Sequence, residues 1–410
     1  MQLVAGWLSN PDPARFPYDV VVDEYHRVGK HFVSPDVLGM LNGARDIARD
    51  LSSETARLLQ RFLDVALDKW DRRYSYPTYL ALDLLPLPCF EDWRDVGSAA
   101  QTRARLTTLL LSDALRFEDL AVSGQSELLP EMRPDGRTVA KRYLLGLRVV
   151  IPMLSRAGVH VRLPMTDPVA ATRRLCAAVE SVISPTERHS LQVSMLPVYI
   201  IHDEYLFIRV LQSFETTFAL LAVQLRAAVS AILRADETAA SLLLSSAADE
   251  LHEAAPLFSL LGTMQVEAFQ TFRRYTEGAS AIQSTNYKLV ESLCRHPHGE
   301  RLESAAYGSV PDVRRRVLEG QPDIDQAVRD ACASGVLDEN ARNRLAPAMD
   351  RFASTLAHWR QTHYRLAARM LGDRPGTGYT QGTPYLKQVR DLPVFDSTQT
   401  SPSIHAVTAR

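Results

Sequence analysis

Residues 195–233 constrain the fold more than any other part of the chain. They read MLPVYIIHDEYLFIRVLQSFETTFALLAVQLRAAVSAIL and are apolar with few interruptions. A segment that is hydrophobic nearly all round is typical of a helix buried in the centre of a protein. We therefore expect a central helix here, with other helices packed around it. A membrane span is not expected, because Gln224 and Arg226 interrupt the most apolar run.

Most of the remaining chain has the three- and four-residue spacing of apolar side chains that predicts helices. Serine, aspartate and proline mark several starts, as at Asp167-Pro168 and Asp236. Helices are predicted at residues 43–70, 99–120, 138–154, 167–182, 256–275, 284–294, 310–318, 322–332 and 338–371. Residues 1–41 are expected to be irregular, with at most one strand at 19–23 (DVVVD). The predicted fold class is all-α.

Length, charge and cysteine content limit the possible classes of protein. A chain of 410 residues can bury a large core and has room for two domains. Its net charge of −2 gives no electrostatic reason to expect nucleic acid or an anionic membrane as a partner. The N-terminus lacks the basic leader of a secretory signal. The 4 cysteines are far apart and form no C-x-x-C pair, which predicts a reduced, cytoplasmic protein without structural zinc.

The predicted helix that ends near residue 371 carries a histidine on its apolar face. The stripe consists of Leu356, Trp359, His363, Leu366 and Met370. The sequence GTGYTQGTPY follows without periodicity, and its glycines and hydroxyls suit a loop that wraps closely around a ligand. We expect the histidine to hold a metal cofactor and the loop to close over a substrate. His358 is a rival, but it lies five residues earlier, about 140° round the helix.

Other candidate residues have two interpretations each. His202 lies in the apolar segment IIHDEYLFI, where a buried histidine is more often structural than catalytic. Arg273 follows Phe269 and Phe272, so it belongs either to a solvated helix face or to a guanidinium site that grips a carboxylate beside aromatic rings. The two histidines of RHPHGE lie in a polar loop, where a solvated role is favoured over a weak metal site.

Four motifs occur in an order that resembles the tryptophan 2,3-dioxygenase family. They are HDEYLFI, a helix ending in FR before ASAIQS, W-x-x-x-H, and GTG-x-x-x-G-x-x-YL. The resemblance covers roughly residues 195–386, and YPTYLALDLL at 76–85 is similar to the family's YxxYLxLDxLL. It implies an all-α heme-dioxygenase core with additional N-terminal helices, heme b as cofactor, and a homo-oligomer, either a dimer or a tetramer.

The same resemblance implies roles for four polar residues. His363 would be the proximal heme ligand, and His202 would be the distal residue that meets the indole N–H. Arg273 would bind the substrate carboxylate, and Thr377 would contact the amino-acid end of the substrate. The role of Arg273 is physically reasonable, because a carboxylate clamp that fixes the substrate ring can lower the activation barrier by several kcal/mol.

Two further groups of residues take roles from the resemblance. Ala279, Ser280 and Ala281 would lie near the distal face of the heme. Tyr76 and Tyr79 match residues that the family lends to the pocket of a neighbouring subunit, which implies that the site needs an oligomer.

The chain also departs from the family pattern. Val198 stands where the family usually has phenylalanine, on the same face as His202, which predicts a wider substrate pocket. Phe269 replaces a tyrosine, and Ala281 replaces a glycine. Two bulkier residues, Tyr379 and Gln381, stand in the closing loop. These departures favour a substituted tryptophan or a related substrate, as in secondary metabolism.

The sequence predicts three regions and one leading function. They are a helical extension at 1–190 containing 76–85, a heme-binding core at 191–395 and a flexible tail at 396–410. The leading hypothesis is a dioxygenase that inserts O2 across the C2–C3 bond of tryptophan or a substituted tryptophan, giving an N-formylkynurenine-type product. The alternatives are a heme-dependent monooxygenase or hydroxylase of an aromatic amino acid, and a heme-binding sensor or scaffold without catalysis. The last is less favoured, because a scaffold has no use for a buried Arg273.

Overall fold

The protein is helical throughout most of the chain that the structure describes. The computed structural model describes residues 1–372, 376 and 382–396. Within those residues, the β pairing is one isolated parallel bridge between Glu131 and Ile201. The predicted all-α class is therefore confirmed.

Twenty α-helices fall within the described residues. Nine precede the central helix: α1 (Gln2–Ser9), α2 (Tyr18–Val28), α3 (Pro35–Arg49), α4 (Glu54–Ala66), α5 (Tyr76–Tyr79), α6 (Val96–Val122), α7 (Gly136–Val150), α8 (Pro168–Val182) and α9 (Pro185–Val193). The central helix is α10 (His202–Leu233). Ten follow it: α11 (Glu237–Ala254), α12 (Pro256–Leu261), α13 (Val266–Thr276), α14 (Thr285–Cys294), α15 (Gly299–Glu303), α16 (Ala305–Gly308), α17 (Pro311–Leu318), α18 (Ile324–Ala333), α19 (Glu339–Leu371) and α20 (Thr383–Arg390).

Serine and aspartate caps fix many of these starts. The Asp167 carboxylate accepts hydrogen bonds from two backbone N–H groups in the first turn of α8, where Pro168 occupies the first helical position. The Asp236 carboxylate accepts from the N–H of Ala239 at the start of α11. Both predicted starts are confirmed.

Helix α10 forms the centre of the molecule and is buried along nearly its whole length. It packs against α6, α11 and α14. It is long and apolar enough to cross a membrane, but 83% of its most apolar window is buried inside the protein, as in a core helix. The main hydrophobic cluster extends from Leu85 to Phe395, so helices on both sides of residue 190 share one core. The domain boundary at residue 190 stays a prediction.

The expectation of an irregular N-terminus is wrong. Residues 1–41 contain α1, α2 and the first half of α3. The segment 19–23 lies in α2, where Val21, Val22 and Tyr25 are buried. Valine is compatible with a helix when three- and four-residue spacing brings it to one core, and that spacing outweighs the β-preference of a short valine run.

Two other predicted boundaries are also corrected. Helix α10 begins at His202 rather than at residue 195, because the preceding backbone bonds to other segments. The carbonyls of Pro197 and Val198 accept from the N–H groups of Lys30 and His31, at 2.8 and 3.2 Å. The single helix predicted at 256–275 is two, α12 and α13.

Helices α1–α4 have their own hydrophobic cluster, which reaches across to Val193 and Leu196. A buried ion pair joins this part of the chain to α5. The Lys30 ammonium lies 3.2 Å from the Asp68 carboxylate, which also accepts from the Thr78 hydroxyl at 2.9 Å. The N-terminal helices therefore fix the position of α5.

Replacing Gly29 with alanine tests the close approach between the N-terminal helices and the chain before α10. Gly29 has φ of +81°, and a Cβ there would lie 2.6 Å from Tyr199 Cα. Gly124 has φ of +68° with nothing within 4 Å of a Cβ, so Gly124→Ala is the matched control. We expect losses in unfolding free energy of about 1 kcal/mol for the control and about 2–4 kcal/mol for Gly29→Ala. Equal losses in urea denaturation would contradict this packing.

Candidate active site

A large cleft opens beside α10, between α13, α14, α19, α20 and the short helix α5. It holds about 1600 Å³ of free space, including its mouth. Part of this volume is open solvent, so the lining rather than the volume identifies a ligand site, because such sites are typically concave and mostly apolar with a few polar groups. Its walls are mostly apolar and aromatic, with a few charged groups among them.

Most of the residues chosen from the sequence meet in this cleft. Those that line it are Tyr76, Tyr79, Phe269, Arg273, Ala279, Ser280, Ala281 and His363. Thr377, Tyr379 and Gln381 lie outside the described residues, so their predicted places in the closing loop stay predictions. The structure therefore brings together side chains from four separate parts of the sequence.

His363 projects into the cleft from α19. Its ring centre lies 5.2 Å from that of Trp359 and 6.2 Å from that of Phe258. Burial lowers the pKa of His363 to about 4, so the imidazole is neutral at pH 7. The predicted apolar stripe is present, since Leu356 and Met370 are buried in the main core.

The surroundings of His363 fit a heme. No described residue hydrogen-bonds to either ring nitrogen, so a lone pair of the neutral imidazole is available to iron. One turn earlier, the indole Nε1 of Trp359 is buried without a hydrogen-bond partner among the described residues. A buried polar atom of this kind is costly unless a ligand or water satisfies it. His358 is exposed on another face of α19, as expected from its spacing.

Arg273 enters the cleft from the last turn of α13. Phe272 on the same helix is fully buried and packs 5.3 Å from the ring centre of Phe207, on α10. Phe269 packs against the same Phe207 ring at 5.7 Å. These contacts fix the face of α13, so that Arg273 lines the cleft while Arg274 is exposed. The interpretation of Arg273 as a cleft residue is supported over the solvated one.

Tyr76 and Tyr79 line the cleft of their own chain, which corrects the implication that a neighbouring subunit supplies them. The N–H of Tyr76 donates to Gln283 Oε1 at 2.7 Å. The Tyr79 hydroxyl donates to Glu204 Oε1 at 3.2 Å. The N-terminal helices hold this segment through the contacts of Lys30, Asp68 and Thr78.

The structure does not bring His202 to the cleft, so the distal role implied for it is corrected. Phe207 and Leu211 on α10 face the cleft. His202 lies five residues before Phe207, about 140° round the helix, and points towards α6 and α7. Its ring stacks on Phe117 at 4.5 Å, and its Nε2 lies 3.1 Å from Glu118.

Val198 is also absent from the cleft lining. It is fully buried, and its N–H donates to Glu204 at 2.7 Å. The wider pocket expected from valine at this position therefore has no support in the described structure. Val198 lies outside α10, in the irregular segment that precedes the helix start at His202.

The sequence analysis did not select three buried charged residues that line the cleft. They are Glu215 on α10, Lys288 on α14 and Arg360 on α19. Glu215 accepts from Asn286 Nδ2 at 3.0 Å, and burial raises the pKa of its carboxyl. A charged residue inside a helix that is apolar all round was a usable signal for Glu215, because an isolated buried charge is costly. Lys288 and Arg360 carried no such signal in their amphipathic helices.

His202 belongs to a buried charge network next to the cleft. Arg142 pairs with Glu118 and with Asp203, each at 2.6 Å, and none of the three side chains is exposed. Glu118 in turn contacts His202. The network holds the start of α10 against α6 and α7, so we assign His202 a structural position.

Replacing Arg142 with methionine tests this assignment. The change leaves the two buried carboxylates without their cation, so we expect a loss of about 3–5 kcal/mol in unfolding free energy. Arg137→Met on the exposed face of the same helix should change it by less than about 0.5 kcal/mol. Chemical denaturation of both variants measures the difference, and a small loss in Arg142→Met would contradict the network.

Three curated proteins similar to this chain are tryptophan 2,3-dioxygenases. No family model matches it. The tryptophan 2,3-dioxygenase of Xanthomonas campestris pv. campestris (strain B100) is 26% identical over 227 residues, covering 47% of this chain and 76% of that protein. The enzyme of that name from Anaeromyxobacter sp. (strain K) is 27% identical over 264 residues, covering 56% and 96%. The one from Pseudomonas aeruginosa (strain UCBPP-PA14) is 26% identical over 227 residues, covering 47% and 79%.

Proposed function

Since the chain is a divergent relative of the tryptophan 2,3-dioxygenases, we propose that it is a heme-dependent oxygenase. Its reaction inserts both atoms of O2 across the C2–C3 bond of tryptophan or a substituted tryptophan. The product is of the N-formylkynurenine type. The observation that carries the proposal is that His363 and Arg273, which are distant in sequence, line one cleft.

His363 is the residue that would hold heme b. Its imidazole is neutral, partly buried and not hydrogen-bonded by described residues, which suits an iron ligand. When bound, heme supplies the iron that takes up dioxygen. The aromatic rings of Phe214, Phe218 and Phe258 line this end of the cleft and make it apolar.

Arg273 would bind and orient the substrate. A guanidinium offers a carboxylate two parallel hydrogen bonds, which fixes both position and direction. Phe269 and Phe207 beside it provide aromatic faces for a ring. Orientation of this kind lowers the barrier by holding the reacting groups in place.

The polar groups available to the substrate ring differ from those implied by the family. With His202 directed away from the cleft, Glu215, Tyr76 and Ser284 provide the polar contacts on this side. The Glu215 carboxyl or its neighbouring hydroxyls can accept the indole N–H. Phe269 lacks the hydroxyl of the family's tyrosine, and Ala281 adds a methyl group where the family has glycine. These two differences from the family pattern favour a substituted tryptophan as substrate.

The oligomer and the location in the cell belong to the same proposal. A dimer or tetramer in the cytoplasm agrees with the resemblance and with the cysteine content. Because Tyr76 and Tyr79 come from the same chain, oligomerisation would not be needed to bring them into the cleft.

Replacing His363 with alanine tests the proposed heme ligand. Loss of a residue that only hydrogen-bonds to a metal ligand lowers metal affinity about 10- to 100-fold. Loss of the ligand itself should therefore lower hemin affinity by more than about 100-fold. We expect weak hemin uptake and an altered Soret band. His358→Ala, on the exposed face of the same helix, is the control and should bind hemin normally. Equal hemin affinity in both variants would rule out His363 as the ligand.

Replacing Arg273 with alanine tests the proposed carboxylate site. Removal of one partner of a buried charge pair costs about 2–5 kcal/mol, so tryptophan affinity should fall about 30-fold or more. Arg274→Ala removes the exposed neighbour and should leave the affinity unchanged. The measurement is the change in heme spectrum during titration with tryptophan. A similar loss in both variants would contradict the assignment.

The mass of the product tests the reaction. Reduced, hemin-loaded protein is incubated with O2 and a panel of tryptophan and ring-substituted tryptophans. We expect a product heavier than its substrate by two oxygen atoms, with both atoms labelled when ¹⁸O2 is used. A gain of one oxygen atom would favour the monooxygenase alternative. Hemin binding without turnover of any panel member would favour the sensor alternative.

A further inference from the structure

Lys288 is a buried cation at the wall of the cleft. Its residue surface is only 2% exposed, yet it lines the cavity. Its Nζ lies over the rings of Tyr287 and Tyr307, at 5.2 and 5.8 Å from the ring centres. Aromatic faces attract an ammonium but leave its three N–H donors without a conventional acceptor.

The carboxylate nearest to Lys288 is engaged elsewhere. Glu291 Oε2 lies 3.9 Å from Lys288 Nζ, which is beyond hydrogen-bond distance. The same carboxylate accepts two hydrogen bonds from Arg301, at 2.5 and 2.7 Å, and one from the Tyr307 hydroxyl at 3.2 Å. Glu291 is therefore mainly the partner of Arg301.

Arg360 adds a second buried cation to the same wall. It is 4% exposed, and its described hydrogen bonds go to the Tyr287 hydroxyl at 2.9 Å and the Leu392 carbonyl at 2.8 Å. No carboxylate among the described residues lies within ion-pair distance of it. Both partners are neutral, so its charge is not compensated directly.

Positive charge is therefore in excess around this part of the cleft. The charged groups that act on the Lys288 ammonium are Glu291, Arg301 and Arg360, so a single carboxylate faces three cations. Burial lowers the pKa of Lys288 to about 8, which leaves the group mostly protonated at pH 7. A buried cation without an anionic partner is costly, and an anionic ligand would remove that cost.

We propose that Lys288 and Arg360 form a carboxylate-binding site for the occupant of the cleft, separate from Arg273. This inference rests on the proposed function. Two carboxylates belong to that function, a propionate of the porphyrin and the carboxylate of the amino acid. Arg360 precedes His363 by one helical turn, which places the site on the His363 side and favours the propionate.

The test compares Lys288→Met and Lys288→Arg with the wild type, and Lys141→Met on an exposed surface serves as control. Each protein is titrated with hemin and with hemin dimethyl ester, whose carboxylates are blocked. For a propionate site, Lys288→Met lowers the affinity for hemin by about 10- to 100-fold and leaves that for the ester unchanged. Lys288→Arg retains most of the affinity.

A second titration separates the two sources of the carboxylate. If the site takes the amino acid, Lys288→Met leaves hemin affinity unchanged but weakens tryptophan binding and not tryptamine binding. Both results support the carboxylate site. If Lys288→Met changes neither affinity, the proposal is overturned.

Stability measurements distinguish a binding role from a structural one. Because Glu291 compensates the Lys288 ammonium only weakly, a methionine there should leave the apoprotein as stable as the wild type or more stable. A clear loss of unfolding free energy, comparable to that of a broken ion pair, would show that Lys288 stabilises the fold through Glu291 and would contradict the binding role.

Failure of this proposal and failure of the proposed function give different results. If hemin affinity depends on Lys288 but the wild-type protein forms no oxygenated product, the carboxylate site is supported and the proposed oxygenase function is contradicted. If the wild-type protein turns over tryptophan but Lys288→Met changes neither hemin nor tryptophan affinity, the proposed function is supported and the carboxylate site is contradicted. A wild-type chain that takes up neither hemin nor tryptophan overturns both.

Discussion

The rest of the structure depends on the central helix α10, which is buried along nearly its whole length. Because of this burial, its polar side chains need hydrogen-bonding or charged partners inside the protein. Arg209 binds Asp113, and Glu204 accepts hydrogen bonds from two backbone N–H groups of the preceding segment. Asp203 pairs with Arg142. These contacts join α10 to α6, α7 and the chain before it, and they set the rotation of the helix. That rotation decides which of its residues reach the cleft.

The first 75 residues contribute to the cleft without lining it. A Lys30–Asp68–Thr78 contact fixes the backbone of α5, and the Gln283 side chain receives the N–H of Tyr76. Two tyrosines therefore stand at the cleft wall because helices far from it hold their backbone. Lys69 adds a link from the same region to the carbonyl of Thr276, next to Arg273, at 3.4 Å. The first 75 residues therefore help to position the wall of the cleft.

Periodicity predicted the all-α class, most of the helices and the caps at Asp167 and Asp236, since these depend on local spacing and local hydrogen bonds. The prediction failed for residues 1–41, because the β-preference of a short valine run was given more weight than the helical spacing of Val21, Val22 and Tyr25. The motifs predicted that His363, Arg273 and the alanine–serine segment share a site. They did not predict the direction of His202, because the rotation of α10 follows from buried partners distant in sequence. The weak compensation of the Lys288 charge was also not predictable, because it depends on the contact of Glu291 with Arg301.

We propose that one cleft binds a heme through His363 and an amino acid through Arg273. A crystal structure of the chain with hemin and tryptophan bound tests this proposal. We expect iron bound to a ring nitrogen of His363 and the substrate carboxylate paired with Arg273, with His202 still joined to Glu118. Iron bound by another residue, or a heme outside this cleft, would contradict it.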